Sequence, residues 1–167
     1  MIRFQFCDTS VGCFLVAEEG GRIIEISRRS DYPEELRGDS DLRQEDSSVL
    51  QEASRQLKEY IRGIRTEFDL PLSLKGTPFQ KEVWEALRRI PYGETRSYGD
   101  IAREISNPQA CRAVGMANHH NPILFVIPCH RVIASDGKMG GYAAGIDLKA
   151  YLLSMESKAI NAKGIEE

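Results

Sequence analysis

The chain lacks the features that would place it in a membrane or a secretory pathway. Among its 167 residues no apolar run approaches the roughly 20 residues that span a bilayer, and the N-terminus lacks the long apolar core of a secretory signal. With 41% hydrophobic and 28% charged residues, the composition is that of an ordinary globular protein. The sequence therefore predicts a cytoplasmic protein, or a nuclear one in a cell with a nucleus, without a membrane partner.

Paired cysteine motifs are also absent. The four cysteines have no CxxC spacing, and the three histidines all lie in the second half, at positions 119, 120 and 130. Neither a disulfide framework nor a zinc knuckle fits this arrangement. Cys7 and Cys13 could bind a metal only together with distant histidines, so we predict no metal site.

A strong excess of basic charge, which is typical of nucleic-acid-binding proteins, is missing as well. The formal net charge is −3. Residues 1–75 carry 11 Lys and Arg against 15 Asp and Glu, and residues 76–167 carry 11 against 10. Charge alone therefore does not indicate a nucleic-acid binder.

The first part of the chain has the alternating pattern of short strands. We predict strands over residues 2–7, 11–17 and 22–28, which form a small antiparallel sheet. The polar segment Ser30–Ser47 is predicted as a loop. Apolar residues at helical spacing then predict a helix over Ser48–Ile61.

A change of organisation follows this helix. Thr77 can cap a helix, and Pro78 fits the first position of a helix that runs from Phe79 to Ile90. We place a domain boundary here, between an N-terminal α/β domain, residues 1–75, and a mostly helical C-terminal domain, residues 76–167. The predicted fold class is α/β, in the α+β arrangement.

Two short helices are predicted next in the C-terminal domain. Ser97 is a good N-cap for the segment Thr95–Ile105, and Asn107 separates this segment from a second helix over Pro108–Asn118. The inward-facing residues of the second helix are predicted to be Ala110, Ala113, Val114 and Ala117. The outward-facing ones are predicted to be Gln109, Arg112 and Met116.

This helix pair has two interpretations. Most pairs of short helices only pack against each other. The alternative is a helix-turn-helix, in which the second helix enters a DNA groove. Ala113, Gly115 and Ala117 make that helix slim enough for a close approach, with Arg112 as its basic residue. Such binding would depend on backbone and shape rather than on base sequence.

Cys129 and His130 are the most informative pair in the chain. They lie in the apolar run Ile123–Ala134, directly after Pro128. A thiol reacts as its thiolate, which an adjacent imidazole makes accessible near neutral pH. The alternative is a structural cysteine in a core strand, because free cysteine is among the most buried residue types. Pro128 favours a turn, which would present Cys129 to a substrate.

A set of motifs surrounds this pair. They are Ser97-Tyr98-Gly99-Asp100-Ile101-Ala102, Arg112-Ala113-Val114-Gly115, Asn118, Asn121-Pro122, Ile127-Pro128-Cys129-His130-Arg131-Val132-Ile133 and Gly140-Gly141-Tyr142-Ala143. In order and spacing they resemble the O6-alkylguanine-DNA alkyltransferases over most of residues 76–156. The N-terminal part resembles that family only in layout, a small sheet followed by a helix.

The resemblance implies a DNA-repair enzyme, a methylated-DNA–protein-cysteine methyltransferase. Such an enzyme moves the O6-alkyl group of a guanine in double-stranded DNA to its own cysteine. The base would be flipped out, because the alkylated oxygen cannot be reached within the stack. Each monomer would act once and irreversibly, without a cofactor or an obligate protein partner. O4-alkylthymine would be a second substrate.

The resemblance also implies roles in the chemistry. Cys129 would be the nucleophile, His130 its base through a bound water, and Glu156 the residue that orients the imidazole. Tyr98 would give a proton or hydrogen bond to the guanine ring as negative charge develops there. Asn121 would tie the turn that carries the thiol to the helix pair.

A second group of residues would hold the DNA. Arg112 would fill the space left by the flipped base, and Ser135 would touch a phosphate. Ala113, Gly115 and Tyr98 would also lie against the DNA. The pocket for the flipped base would be lined by Val132, Tyr142 and Ala143.

Departures from the family pattern affect these expectations. Ala144 stands where many relatives have glycine or a larger residue, which would change the tolerance for bulky alkyl groups. His119 and His120 replace a commoner glycine-containing pattern, and they either contact phosphate in a pH-dependent way or are plain exposed surface. Because the DNA-binding half is nearly neutral, we expect modest affinity for undamaged DNA and a shallow salt dependence.

Two other functions stay open from the sequence. Alkyltransferase-like proteins bind the same lesion without the cysteine, whereas this chain keeps Cys129, His130 and Glu156 together. A Cys-His hydrolase would need an oxyanion hole and an acid for its leaving group, and Arg112 would then have no role.

Overall fold

The computed structural model describes residues 1–38 and 41–166, with side chains up to residue 159. The chain divides into two compact units. These are Met1–Lys75 with Pro122–Leu124, and Gly76–Asn121 with the chain from Phe125 onward. In the described ranges, no helix combines the length and the apolar character needed to cross a membrane.

A mixed four-stranded sheet forms the centre of the first unit. Its strands are β1 (Ile2–Thr9), β2 (Gly12–Glu19), β3 (Arg22–Arg28) and β4 (Leu42–Gln44). The strand order is β3-β2-β1-β4, and the first three strands are the predicted ones, paired antiparallel.

The fourth strand was not predicted. β4 pairs parallel to β1, so the predicted loop over Ser30–Ser47 is wrong at Leu42–Gln44. Only Leu42 of these three residues is buried, which is too short a pattern to show strand alternation. The predicted loop also contains a 3-10 helix at Glu34–Leu36, and its positions 39 and 40 lie outside the described residues.

Helix α1 (Ser48–Ile61) has the predicted bounds and packs against strands β1 to β3. The Ser47 side chain accepts a hydrogen bond from the Leu50 amide at the start of the helix. Gly63, with φ of 79°, follows its end, where a left-handed conformation favours glycine. Burial of the apolar face of α1 stabilises this unit.

Residues 122–124 belong to the first unit although they come late in the sequence. The Ile26 amide donates to the Pro122 carbonyl at 3.0 Å, and the Leu124 amide donates to the Ile26 carbonyl at 3.0 Å. This pairing joins residues 122–124 to strand β3 of the first unit.

Four α-helices and a two-stranded parallel sheet make up the described part of the second unit. They are α2 (Pro78–Arg88), α3 (Tyr98–Glu104), α4 (Cys111–His119), α5 (Ile146–Glu166), β5 (Arg96–Ser97) and β6 (Val132–Ile133). Thr77 and Ser97 begin α2 and α3, each in a capping box, as their sequence signals predict. The α/β fold class is confirmed.

Helix α4 begins later than predicted, at Cys111 rather than Pro108. The preceding residues form a turn in which Ser106 has φ of 60° and the Ala110 amide donates to the Asn107 carbonyl at 3.0 Å. That turn uses backbone groups which a longer helix would need for its own hydrogen bonds.

The buried face of α4 also differs at one position. Val114, Ala117 and Asn118 are buried, whereas Ala113 is exposed and the prediction that it faces inward is wrong. The Trp84 indole Nε1 donates to the Ala117 carbonyl at 2.9 Å, and this bond fixes the buried face of α4 against α2. Ala113 lies at the edge of this buried face, about 100° around the helix from Val114, and its side chain stays exposed there.

Candidate active site

Cys129 begins a short 3-10 helix, Cys129–Arg131, directly after Pro128. The thiol is therefore at a turn, as Pro128 predicts, but it is only 2% exposed. Two asparagines hold the backbone around it. Asn121 Nδ2 donates to the Ile127 carbonyl at 2.7 Å, and Asn118 Nδ2 donates to the Cys129 carbonyl at 3.4 Å.

The resting thiol is protonated at neutral pH. Burial raises the pKa of Cys129 to about 11, although a hydrogen bond with Asn121 and the charge of Lys149 act in the opposite direction. Because only the thiolate is a strong nucleophile, the proton must leave Cys129 during the reaction. A base beside the thiol is therefore required.

His130 and Glu156 form a buried pair next to the thiol in sequence. Nε2 of His130 lies 2.8 Å from Oε2 of Glu156, and both side chains are almost fully buried. Burial lowers the pKa of His130, against the opposing effect of Glu156, so the imidazole is neutral at pH 7. With the carboxylate at Nε2, the neutral ring carries its proton there and Nδ1 is the basic nitrogen.

Arg131 is a part of the site that sequence reasoning missed. Its Nε and Nη2 bond the two oxygens of Glu156 at 2.8 and 3.0 Å, and its Nη1 donates to the Ile90 carbonyl at 2.7 Å. The guanidinium also lies 5.6 Å from the centre of the Tyr92 ring. A bidentate pair of this kind fixes the carboxylate in direction as well as in charge.

The carboxylate of Glu156 therefore accepts hydrogen bonds from both His130 and Arg131. Burial opposes its charge most strongly, but the hydrogen bonds from His130 and Arg131 outweigh burial and bring the pKa of Glu156 down to about 2. The Gly93 amide donates to the same carboxylate at 3.2 Å. Glu156 is therefore ionised throughout the physiological range, and it can hold the imidazole in one tautomer.

Lys149 is a second missed residue. Its side chain is fully buried, and Nζ donates to the carbonyls of Val132 at 2.6 Å and Gly141 at 3.1 Å. Burial lowers the pKa of Lys149 to about 8, while a charge on Cys129 would raise it. The two hydrogen bonds tie the loop that carries Tyr142 and Ala143 to the strand that follows the thiol.

Replacement of Lys149 by methionine is expected to slow the reaction of Cys129 by about tenfold, because the loop loses its anchor and a small misplacement of reacting groups is costly. The thermal midpoint should shift by only a few degrees, since relief from burying a charge offsets the lost hydrogen bonds. Single-turnover rates and thermal unfolding test this, with the exposed lysine of the same helix, Lys158→Met, as the control. An unchanged rate would contradict the anchoring role.

A cleft of about 520 Å³ lies beside this network. It is lined by Tyr98, Gly99, Arg103, Cys111, Arg112, Gly115, Ala134 and Ser135. Four predicted DNA-contact residues, Tyr98, Arg112, Gly115 and Ser135, therefore share one surface, and Ala113 lies exposed on the same helix α4.

Tyr98 connects the cleft to the thiol. Burial raises the pKa of Tyr98, and the nearby Cys129 charge raises it further, so the phenol keeps its proton. Added Cβ atoms at Gly115 and Gly140 would lie 3.9 Å from the ring and 3.1 Å from the hydroxyl of Tyr98. A side chain at Gly140 would therefore crowd the hydroxyl, where the backbone also has φ of 71°.

The residues predicted for the base pocket lie in different environments. Val132 is fully buried in β6, Tyr142 is half-buried and Ala143 is exposed. Both loop residues follow Gly141, whose carbonyl is held by Lys149. The described residues contain no group of three His, Cys, Asp or Glu side chains able to hold a metal ion.

Comparisons with known proteins agree along both units. Two family models match the chain: the 6-O-methylguanine DNA methyltransferase ribonuclease-like domain at residues 2–74, and the DNA binding domain of the same family at residues 78–158. The constitutive methylated-DNA–protein-cysteine methyltransferase of Bacillus subtilis is 44% identical over 158 residues, which cover 93% of this chain and 96% of that protein.

Solved structures give the same picture. The O6-methylguanine methyltransferase of Mycobacterium tuberculosis superimposes with a TM-score of 0.83 at 42% identity, covering 95% of this chain and 94% of that one. A structure from the same organism in complex with DNA gives a TM-score of 0.84 at 41% identity, with 94% of both chains covered.

Proposed function

Because the chain belongs to the 6-O-methylguanine DNA methyltransferase family and repairs DNA by alkyl transfer, we propose that Cys129 is the acceptor and that the damaged guanine leaves the duplex to reach it. The observation that carries this proposal is the burial of the thiol, only 2% exposed beside a cleft lined by Tyr98 and Arg112. A base stacked in a duplex could not approach such an atom, so the nucleotide must be extruded.

In the proposed reaction, Sγ of Cys129 attacks the alkyl carbon of O6-alkylguanine. The S–C bond forms as the C–O6 bond breaks, and the thiol proton passes to His130. Charge develops on the guanine as it leaves, and the phenol of Tyr98 donates a proton to it. The proton held on His130 then returns to the phenolate of Tyr98, so the net change converts thiol and alkylguanine to thioether and guanine, with both side chains back in their starting forms.

Glu156 and Arg131 support this proton transfer without touching the substrate. The carboxylate stabilises the imidazolium that forms on His130, and Arg131 keeps the carboxylate ionised and aligned. The product is a thioether, whose sulfur is a poor leaving group. We therefore propose a single turnover for each monomer, with no cofactor and no obligate protein partner.

We propose that α3 and α4 act as a helix-turn-helix whose second helix lies in a DNA groove. Residues 105–135 contain no Asp or Glu, so this stretch carries no carboxylate that would repel phosphates. Arg112 is exposed and has no ion-pair partner among the residues that the structure describes. Ser135 lines the same cleft, where it can donate to a phosphate.

The proposal also covers a second substrate, the cellular location of the protein and its domain boundary. The exocyclic oxygen of O4-alkylthymine offers the same alkyl carbon to the thiol, so we propose it as a second substrate. A reduced nucleophilic thiol and a DNA substrate both fit the cytoplasm. The separate family matches on residues 2–74 and 78–158 support a domain boundary near Gly76.

Affinity for undamaged duplex should be modest and should depend only weakly on salt. The exposed charge on the proposed DNA face is small, with Arg112 on α4 and Arg103 at the cleft. The slope of log affinity against log salt should correspond to about two or three phosphate contacts. Fluorescence anisotropy over a range of salt concentrations measures it, and a steep slope with tight binding would contradict the proposed surface.

Stoichiometry tests the proposed function. A fixed amount of protein is titrated with a duplex containing one O6-methylguanine, and restored guanine is counted. We expect repair to stop at one lesion per protein molecule. Repair beyond that ratio would indicate a turnover enzyme such as a hydrolase, and lesion binding without repair would indicate a recognition module.

A further inference from the structure

Met116 stands out among the exposed apolar residues of the second unit. It is 58% exposed on α4, although a methionine side chain gains by burial. The opposite face of α4 is fixed by buried Val114 and Ala117, and Trp84 donates to the Ala117 carbonyl. The helix therefore cannot turn Met116 inward.

The position of Met116 on the helix relates it to Arg112. The two residues are four apart, so they are neighbours on one face of α4, one helical turn from each other. Gly115, the residue before Met116, lines the cleft and faces the Tyr98 ring. Met116 follows Gly115 on α4 and is not among the residues that line the cleft, so it extends the exposed face of α4 beyond Arg112.

Charge around Met116 suits DNA as the occupant of this face. No Asp or Glu occurs in residues 105–135, and the exposed neighbours at one turn on either side are Arg112 and His119. Apolar side chains such as methionine are used by DNA-binding proteins as wedges against sugars and base steps. A surface built for a second protein copy would have no need to avoid carboxylates.

We propose that Met116 is an additional DNA-contacting residue, which packs its apolar side chain against the deoxyribose edges and base step beside the extruded nucleotide. This inference rests on the proposed function, and it adds an uncharged contact to that of Arg112. Such a contact increases affinity for duplex without increasing the number of phosphates neutralised.

The test compares duplex binding by the wild type, Met116→Ala, Met116→Lys and Arg112→Ala across a salt series. Met116→Ala should weaken duplex binding about fivefold, which corresponds to about 1 kcal/mol of binding free energy, and it should leave the salt slope unchanged. Met116→Lys should recover affinity at low salt, and its slope of log affinity against log salt should be steeper than that of the wild type by about one. For Arg112→Ala the same slope should be shallower than that of the wild type by about one. Ile64→Ala, which removes an apolar side chain 69% exposed in the first unit, should change nothing.

Two further measurements separate this inference from the proposed function. The rate of reaction with free O6-methylguanine base should be the same for Met116→Ala and the wild type, because Met116 acts only on the duplex. A wild type that never methylates Cys129 would remove the proposed function, while the binding series would still decide the role of Met116.

Two results would overturn the inference itself. One is an unchanged duplex affinity in Met116→Ala. The other is a wild-type dimer in sedimentation that Met116→Ala converts to a monomer without loss of DNA affinity, since Met116 would then belong to a contact between copies of the chain.

Discussion

Replacement of Cys129 by alanine will abolish alkyl transfer, by about 10⁴-fold or more, while the protein still binds the lesion. The thiol is the nucleophile in the proposed displacement, and alanine has no group that can accept the alkyl carbon. The change removes one buried sulfur atom, so the free energy of unfolding should fall by only about 1 kcal/mol. Single-turnover repair of a duplex with one O6-methylguanine measures the loss.

The control for this prediction is another cysteine in the chain. Cys13 is half-buried in the first unit, and Cys13→Ala should repair at the wild-type rate. Cys111 is exposed and lines the cleft, so it is the rival acceptor. Residual repair by Cys129→Ala, with the alkyl group on Cys111, would contradict the assignment of the nucleophile.

Replacement of Glu156 by alanine is expected to lower the free energy of unfolding by about 3–5 kcal/mol, because it leaves the buried Arg131 without its counter-charge. Repair should slow as well, since His130 loses the acceptor that fixes its tautomer. Glu156→Gln keeps the size and one acceptor and should be less destabilising. Chemical denaturation measures the stability of both variants.

The pH dependence of stability gives this prediction a second readout. The pKa of Glu156 is about 2 in the folded protein and near 4.5 in an unfolded chain. A lowered folded-state pKa means that the stabilisation is fully present above about pH 4.5 and is lost as the pH falls toward about 2. The difference in stability between the wild type and Glu156→Gln should therefore shrink over that range.

A double variant separates the ion pair from the carboxylate itself. Arg131→Met combined with Glu156→Gln removes both charges and leaves apolar and neutral groups of similar size. This double variant should be more stable than Glu156→Ala. Equal instability would contradict the view that the unpaired guanidinium is the cause.

Local signals in the sequence predicted the parts of the fold that local chemistry controls. The capping residues Ser97 and Thr77 mark the starts of two helices, and α1 has its predicted bounds of Ser48–Ile61. Strand β4 was missed because its three residues become a strand only through pairing with β1. Ala113 was placed wrongly because it lies at the edge of the buried face, four residues before buried Ala117, and helical spacing alone does not show where that face ends.

In the candidate site, too, the residues of a local motif were predicted and those that depend on distant partners were missed. Cys129 and His130 are adjacent, so their motif is visible in the sequence. Arg131 and Lys149 were missed because an exposed and a buried cation look alike in a sequence. Their burial depends on Glu156 and on the carbonyls of Val132 and Gly141, which only the folded chain brings to them. The role of Glu156 came from family resemblance, since its spacing from His130 carries no local signal.

Peptide mass spectrometry after incubation with a duplex containing one O6-methylguanine tests the central claim most directly. We predict a single added methyl group, confined to the peptide that contains Cys129, which reaches one per protein molecule and goes no further. An unmodified protein that remains bound to the lesion, or a methyl group on another residue, would contradict the account.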